Sequence, residues 1–414
     1  MFQLNTKNGI VNVYAKTVEQ SAIEQITQMA NTPLGENAHI CIMPDVHTGK
    51  GCTIGTTMYV TDKICPNLVG VDIGCGMYVA KLEMTDAIKA DFPLFLLSLD
   101  MTINRFVPTG RSVNEQSHHN AVQFAPYLTQ LFCTAYINHT YVLNSVGTLG
   151  GGNHFIELDV DSKGDYYIVV HSGSRHLGTE VARYYQKKAE DNMSKSAYKK
   201  ASSALIAKYK AEGRQLEIAK ALAVLQVTTQ DVPKELAYCT GTLVDSYMHD
   251  IDIVQDYAQL NRATIVQEIS ERWCGTMEQR PKFTPCFTTK HNYIDVNSRI
   301  LRKGAVSAKQ NELLLIPMNM RDGTLLCCGK GNPEWNYSAP HGAGRLYSRK
   351  QATECLSLQS FKRTMRDVYT TSVCKETLDE APAAYKPMQE IIDCIADTVT
   401  VLDILKPVYN YKAH

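Results

Sequence analysis

The sequence predicts an α+β fold in which a β-rich core is surrounded by peripheral helices and interrupted by one helical insert. Three observations predict it. Over the first 180 residues, short β-branched and aromatic runs alternate with dense glycine turns. From Glu180 to about Trp273 the texture changes to Ala, Lys, Leu and Gln with little glycine. Strand-like, glycine-rich texture then returns at Phe283 and runs to Ser348.

Taken in order, the runs Ala38–Met43, Gly55–Val60, Val69–Ala80, Tyr141–Val146 and Tyr166–Val170 read as strands carrying functional loops. In the middle stretch, Val244, Tyr247, Met248, Ile251 and Val254 share one helical stripe, which defines the insert over about 180–275. From Leu356 onward the chain reads as mostly helical, with a closing segment Pro407–Lys412. No proline-rich or serine-rich linker and no internal repeat separates these parts, so residues 1–414 are expected to form one interwoven domain.

Composition narrows the class without naming a function. With 44% hydrophobic and 20% charged residues the chain is ordinary for a globular protein. Forty-two basic and forty-two acidic residues cancel, so a nucleic-acid surface would have to be a local patch. The thirteen cysteines are an odd number and stand singly apart from Cys327 and Cys328, which fits reduced thiols in a cytosol. No stretch approaches the roughly 20 apolar residues of a membrane span, and the Met1–Tyr14 segment lacks a signal-peptide pattern, so a soluble cytoplasmic protein is expected.

Four loops concentrate the chemistry. In Val71-Asp72-Ile73-Gly74-Cys75-Gly76, a carboxylate and a thiol three apart sit on a glycine-rich turn, where both can ligate a divalent ion. A buried structural cysteine beside a turn aspartate explains the same residues. The run Gly150-Gly151-Gly152-Asn153-His154 costs backbone entropy that packing alone does not repay, and suits a phosphate or metal loop. His171 follows a strand-like run and is preferred to His176 as a ligand, with Arg175 placed to hold phosphate. His291 is a fourth candidate, although a lone histidine there is more often structural. One carboxylate, one thiol and three histidines suffice for two metal ions bridged by Cys75, with the metal itself left open.

The run Tyr337–Arg345 pins His341 behind Pro340 and ahead of small residues, leaving one face of the ring open. A neutral imidazole there is a competent nucleophile toward phosphorus; a further metal ligand or a loop histidine is the alternative.

Taken together, Met43–His47 with Gly49-Lys50-Gly51, then Gly70–Met77, Gly150–Phe155, His171–Arg175, Arg302–Ala305 and Pro340–Arg345 resemble, in order, the signature blocks of the RtcB family of RNA-splicing ligases. The resemblance spans nearly the whole chain. It implies a single RtcB-like domain with a β-rich metal-binding core. The implied reaction joins RNA ending in a 2′,3′-cyclic phosphate or 3′-phosphate to RNA beginning with a 5′-hydroxyl, using GTP and two manganese ions. By position it makes Asp72, Cys75, His154, His171 and His291 the metal ligands and His341 the carrier of guanylate. Asn153, Phe155, Glu157, Ala343, Tyr385 and Lys412 would hold the nucleotide. Asp45 would assist deprotonation of the attacking hydroxyl, with a structural turn aspartate as the alternative, and Arg175 and Arg345 would grip RNA phosphates. A monomer is expected, with an accessory activator compatible.

Two segments depart from the family pattern: Ile316–Thr324, where a small-residue loop is usual, and Cys328–Asn336. The stretch Arg183–Arg214 holds nine basic residues against three acidic, with tyrosines interleaved, and reads either as an RNA-facing arm or as a solvated helix face. The competing functions are a dinuclear phosphodiesterase or phosphatase acting on RNA ends, and an RNA-end binder without turnover.

Overall fold

The computed structural model describes residues 1–225, 232–274, 277 and 279–413. A six-stranded sheet runs in the order Phe2–Thr6, Gly9–Val13, Ile40–His47, Ile54–Tyr59, Ile300–Lys303, Asn292–Asp295. A seven-stranded sheet runs Phe283–Lys290, Gly76–Leu82, Tyr166–Ser172, Phe155–Val160, Val399–Lys412, Gly323–Gly329, Leu313–Asn319. Neighbours in both are antiparallel except Gly9–Val13 against Ile40–His47. The chain changes sheet at His291, which alone separates Phe283–Lys290 from Asn292–Asp295. The α+β expectation is therefore met, with the strands carrying the glycine loops that the sequence singled out.

Register matters because strand side chains alternate between faces. Phe155, Glu157 and Asp159 share one face of their strand. Phe155 pairs with His171 on one side and Lys412 on the other, which brings three distant segments onto one surface. Helix Thr242–Glu271 packs against this sheet through Ile265, Val266 and Ile269, whereas its stripe Val244, Tyr247, Ile251 and Val254 packs with Leu177, Val181 and Tyr185. It also reaches the ligand loops: Arg262, fully buried, donates to the carbonyls of Gly74 (2.8 Å) and Ser172 (2.9 Å). Asn261 binds the backbone of Gly147, Thr148 and Gly173. Helix Arg175–Ala211, which runs into the expected insert, has its buried residues between Leu177 and Ala189, and the short helix Ile218–Ala223 follows it. Residues 226–231 and 275 of the expected insert lie outside the described residues.

Two local expectations are corrected. Tyr141–Val146 is not a strand: residues His139–Asn144 form a helix, because the side chain of Asn138 accepts a hydrogen bond from Tyr141 N–H (3.1 Å) and caps its first turn. The C-terminal part is less helical than expected. Short helices Leu358–Thr364 and Met388–Ile395 precede one long strand, Val399–Lys412, in which Pro407 is tolerated at a register shift.

Candidate functional site

Two sets of ligand atoms meet at Cys75. Sγ lies 3.5 Å from His154 Nε2 and 3.3 Å from His171 Nε2. His154 Nε2 is 3.0 Å from Asp72 Oδ2, and His171 Nε2 is 3.3 Å from His291 Nε2. Asp72, Cys75 and His154 form one triad and Cys75, His171 and His291 the other, each with its donor atoms within 4.8 Å of one another. All five expected ligands are thus brought together, from the turn before one strand, the exit of the triple-glycine loop, a strand end and the junction between sheets.

The donor set fits a cation. His154 Nδ1 faces Leu149 O (2.9 Å) and His171 Nδ1 faces Asn153 O (3.1 Å). A carbonyl only accepts, so both Nδ1 atoms carry a proton, and both Nε2 atoms face the centre, where they would give lone pairs to a bound cation. Burial pushes the pKa values of His171 and His291 well down, helped by the neighbouring rings, so both are neutral ligands. Burial and the Asp72 charge push the Cys75 thiol well up, and a bound cation would displace its proton. Burial also works against ionisation of Asp72, but the His154 hydrogen bond and charge overcome it and hold the carboxyl at about 2.

Glycine is required around this centre. A Cβ on Gly173 would overlap the Asp72 carboxylate, whose Oδ1 accepts from Ser174 N–H at 3.1 Å. Arg175, the next residue, adopts a left-handed φ of 54°.

His341 stands beside the second triad, its ring centroid 4.9 Å from that of His291. Its Nδ1 is 2.6 Å from Asp45 Oδ2, and the same oxygen accepts from His341 N–H (3.2 Å). Asp45 is completely buried and its Oδ1 has no partner. Its geometry is that of a residue that orients His341. The loop can approach this closely because Gly344, at φ 74°, packs against the Asp45 backbone where a Cβ would intrude.

His341 lines a cavity, to which its Nε2 edge, opposite the Asp45 contact, is left. Asn153, Phe155, Glu157, Ala343, Tyr385 and Lys412, all expected nucleotide contacts, line it. The hairpin residues Pro317, Met318, Asn319 and Met320 close one wall, held by Ala343 N–H donating to Pro317 O (3.1 Å). Of the two departures from the family pattern, only this one reaches the cavity. The other packs elsewhere, with Trp335 stacked on Tyr14 at 3.8 Å.

The sequence reading missed the centre of the cavity's charge network. Glu380, 2% exposed, accepts from Tyr385 Oη (2.6 Å), Lys412 Nζ (2.7 Å), Arg349 Nη1 (2.6 Å) and Arg345 Nη1 (3.3 Å). Burial alone would raise its pKa, but the charges of Lys412 and Arg349 hold it at about 2. Nothing in the local sequence around Glu380 marks it, since its partners lie up to 35 residues away. Glu157 is the contrasting carboxyl: burial pushes it up to about 7 despite a hydrogen bond from Asn410 and the charge of Lys412.

Arg345 and Arg175 belong to the site but are not free clamps. Arg345 spends its donors on Glu380, Tyr385 Oη and the carbonyls of Asp379 and Tyr347. Arg175 spends Nε on Thr148 (2.9 Å) and Nη2 on Gly110 O (2.7 Å). His176 is outside both triads and pairs with Glu180 at 3.7 Å. No helix among the described residues is long and apolar enough to cross a membrane.

Known proteins resemble this chain along nearly its whole length. The family profile described as tRNA-splicing ligase RtcB matches residues 25–140 and 134–413. The RNA-splicing ligase RtcB of Escherichia coli K12 is 30% identical, with 99% of this chain and 98% of that protein covered. The tRNA-splicing ligase RtcB of Nanoarchaeum equitans is 25% identical over 86% of this chain and 83% of its own. The RNA-splicing ligase RtcB of Mycobacterium tuberculosis is 24% identical over 85% and 91%.

Proposed function

This chain belongs to the RtcB family, and on that premise we propose that it is an RNA ligase that carries GMP on His341 while joining a 3′-phosphate or 2′,3′-cyclic phosphate end to a 5′-hydroxyl. The observation that carries the reading is the orientation of His341, with Nδ1 on buried Asp45 and Nε2 left to the cavity beside the ligand triads. The substrate is RNA, the nucleotide is GTP and the ions are two manganese.

In the first step the Nε2 lone pair of His341 attacks the α-phosphorus of GTP and pyrophosphate leaves. Asp45 holds the Nδ1 proton and offsets the positive charge that develops on the ring, so the nucleophile needs no separate base. In the second, an oxygen of the RNA 3′-phosphate attacks the same phosphorus and regenerates neutral His341, leaving GMP on the RNA end through a diphosphate. A 2′,3′-cyclic end enters this sequence after water has opened its P–O2′ bond to give the 3′-phosphate; in the last step the 5′-hydroxyl gives up its proton to water as it attacks the 3′-phosphorus of the RNA and expels GMP. When bound at the two triads, the metal ions supply Lewis-acid stabilisation of phosphoryl charge.

The nucleotide is held by Tyr385 as a stacking ring, by Glu157 and Asn153 as polar contacts, by Phe155 and Ala343 as apolar wall, and by Lys412 toward a phosphate. Arg349 joins them as a residue half-open to the cavity and anchored on Glu380. Arg175 and Arg345 act by shaping the walls.

The test is incubation of the purified protein with manganese and GTP labelled on the α-phosphate, for wild type and His341→Ala, followed by denaturing gel and acid. Acid-labile label on wild type alone supports the reading. Absence of label on wild type, with ATP and other metals also failing, sinks it and favours the dinuclear hydrolase, whose observation is the pair of triads sharing Cys75.

A further inference from the structure

Helix Arg175–Ala211 starts beside the metal ligands. A second, more open cavity shares no lining residue with the first and is lined by Asp72 and His154 together with Arg111, Tyr141, Arg175 and His176. Tyr141 meets His176 edge-on at 5.0 Å. Two turns further along the helix, Tyr184 packs on Tyr136 with centroids 4.9 Å apart, and Tyr136 is 64% exposed although it touches the body of the protein. Lys188 lies over the Tyr184 ring at 5.3 Å.

Tyr184, Lys188, Lys195 and Lys199 follow at spacings of four, seven and four, so they share one helical face. From Tyr184 to Lys199 that face extends about 22 Å, and its near end lies two turns along the helix from His176 at the cavity. The carboxylates along it are already engaged: Glu180 with Arg183 (3.0 Å) and His176, and Asp191 with Lys187 (3.2 Å). Lys195 and Lys199 have no carboxylate partner among the described residues. A buried apolar anchor would explain exposed rings and a solvated helix would explain lysines, but neither explains their succession on one face of a helix whose first turns line a ligand cavity.

We propose that this face is a track for single-stranded RNA, which leaves the metal centre through the second cavity, stacks a base on Tyr136 and Tyr184, and lays its phosphates along Lys188, Lys195 and Lys199. The identity of the polyanion as RNA rests on the ligase reading. The chemistry matches what unpaired strands require, rings for base faces and ammonium groups for a flexible backbone, whereas an acidic protein segment would leave the rings unused.

The experiment is fluorescence anisotropy of the full chain with 3′-phosphorylated single strands of about 4 and about 16 nucleotides over a salt series, without GTP. The variants are Tyr136→Ala and the triple Lys188→Glu, Lys195→Glu, Lys199→Glu, each checked by thermal melting, with Lys195→Ala as the milder variant. Wild type is expected to bind the longer strand more tightly. The triple variant should lose about tenfold or more on the long strand and flatten its salt slope by about 2, close to 0.7 for each phosphate contact removed. Tyr136→Ala should weaken long-strand binding about fivefold without changing that slope. Neither should alter the short strand. Unchanged long-strand affinity and slope in the triple variant, an equal loss for both lengths, or equally tight binding of an acidic peptide would overturn the track. Because binding is read without turnover, a failure of guanylate labelling with the length effect intact would sink the ligase reading and leave this one standing.

Discussion

Nδ1 of His341 lies 2.6 Å from Oδ2 of Asp45, and the carboxylate that holds it is shut away from solvent. The pair fixes both the ring's tautomer and its aim. Asp45→Asn keeps the size but removes the negative charge, so guanylate transfer should fall on the order of 10²-fold or more while the fold persists. Single-turnover labelling beside a melting curve separates the two effects. A full labelling rate in Asp45→Asn would show that the carboxylate has no part in the step.

Cys75 belongs to both triads, so its loss should be felt at both. Equilibrium dialysis with manganese is expected to find two ions per wild-type chain and one in His154→Ala. Cys75→Ala should weaken both sites together. Independent sites, with one retained at full affinity in Cys75→Ala, would rule out the shared ligand.

Gly173→Ala places a Cβ on the Asp72 carboxylate without touching any ligand chemically. Metal affinity is expected to drop roughly 10- to 100-fold, the range for disturbed supports of a metal ligand. Calorimetric titration reads it directly, and wild-type affinity would mean the loop shifts freely.

Glu380 links acid stability to the nucleotide cavity. Its folded pKa of about 2 lies below the usual 4.5, so the unfolded chain binds its proton first as pH falls. The carboxylate's contribution is therefore complete above about 4.5 and fades as pH drops toward 2, and it is worth on the order of a few kcal/mol. In urea titrations, the stability gap between wild type and Glu380→Gln should be constant near neutral pH and narrow below 4.5. A gap independent of pH would assign the loss to packing.

Much of this site could be read from the chain because its parts sit on loops whose composition has a chemical cost. Three successive glycines before Asn153 and His154, and a proline pinning His341, have no cheaper explanation than close approach to a ligand. Glu380 and Arg349 left no such trace. They are ordinary charged residues made important by partners such as Lys412 and Arg345 that only the folded chain brings near. The helix at His139–Asn144 was misread because Tyr141 and Val142 favour strands, whereas Asn138 decides the matter by capping. Helix Thr242–Glu271 was visible as a stripe, but periodicity carries no information about what the stripe packs on, so Arg262 beneath the ligand loops could not be foreseen.

The ligands come from residues 72 to 291, and His291 takes its place only where the chain crosses from one sheet to the other. Such distant partners make the centre a late event in folding, because long loops must close before any of its contacts repay their entropy. During refolding, helical signal should recover well before metal-dependent absorbance or guanylate labelling does. A cation would then act as a latch, adding its binding energy to the final docking of the two sheets and slowing their separation.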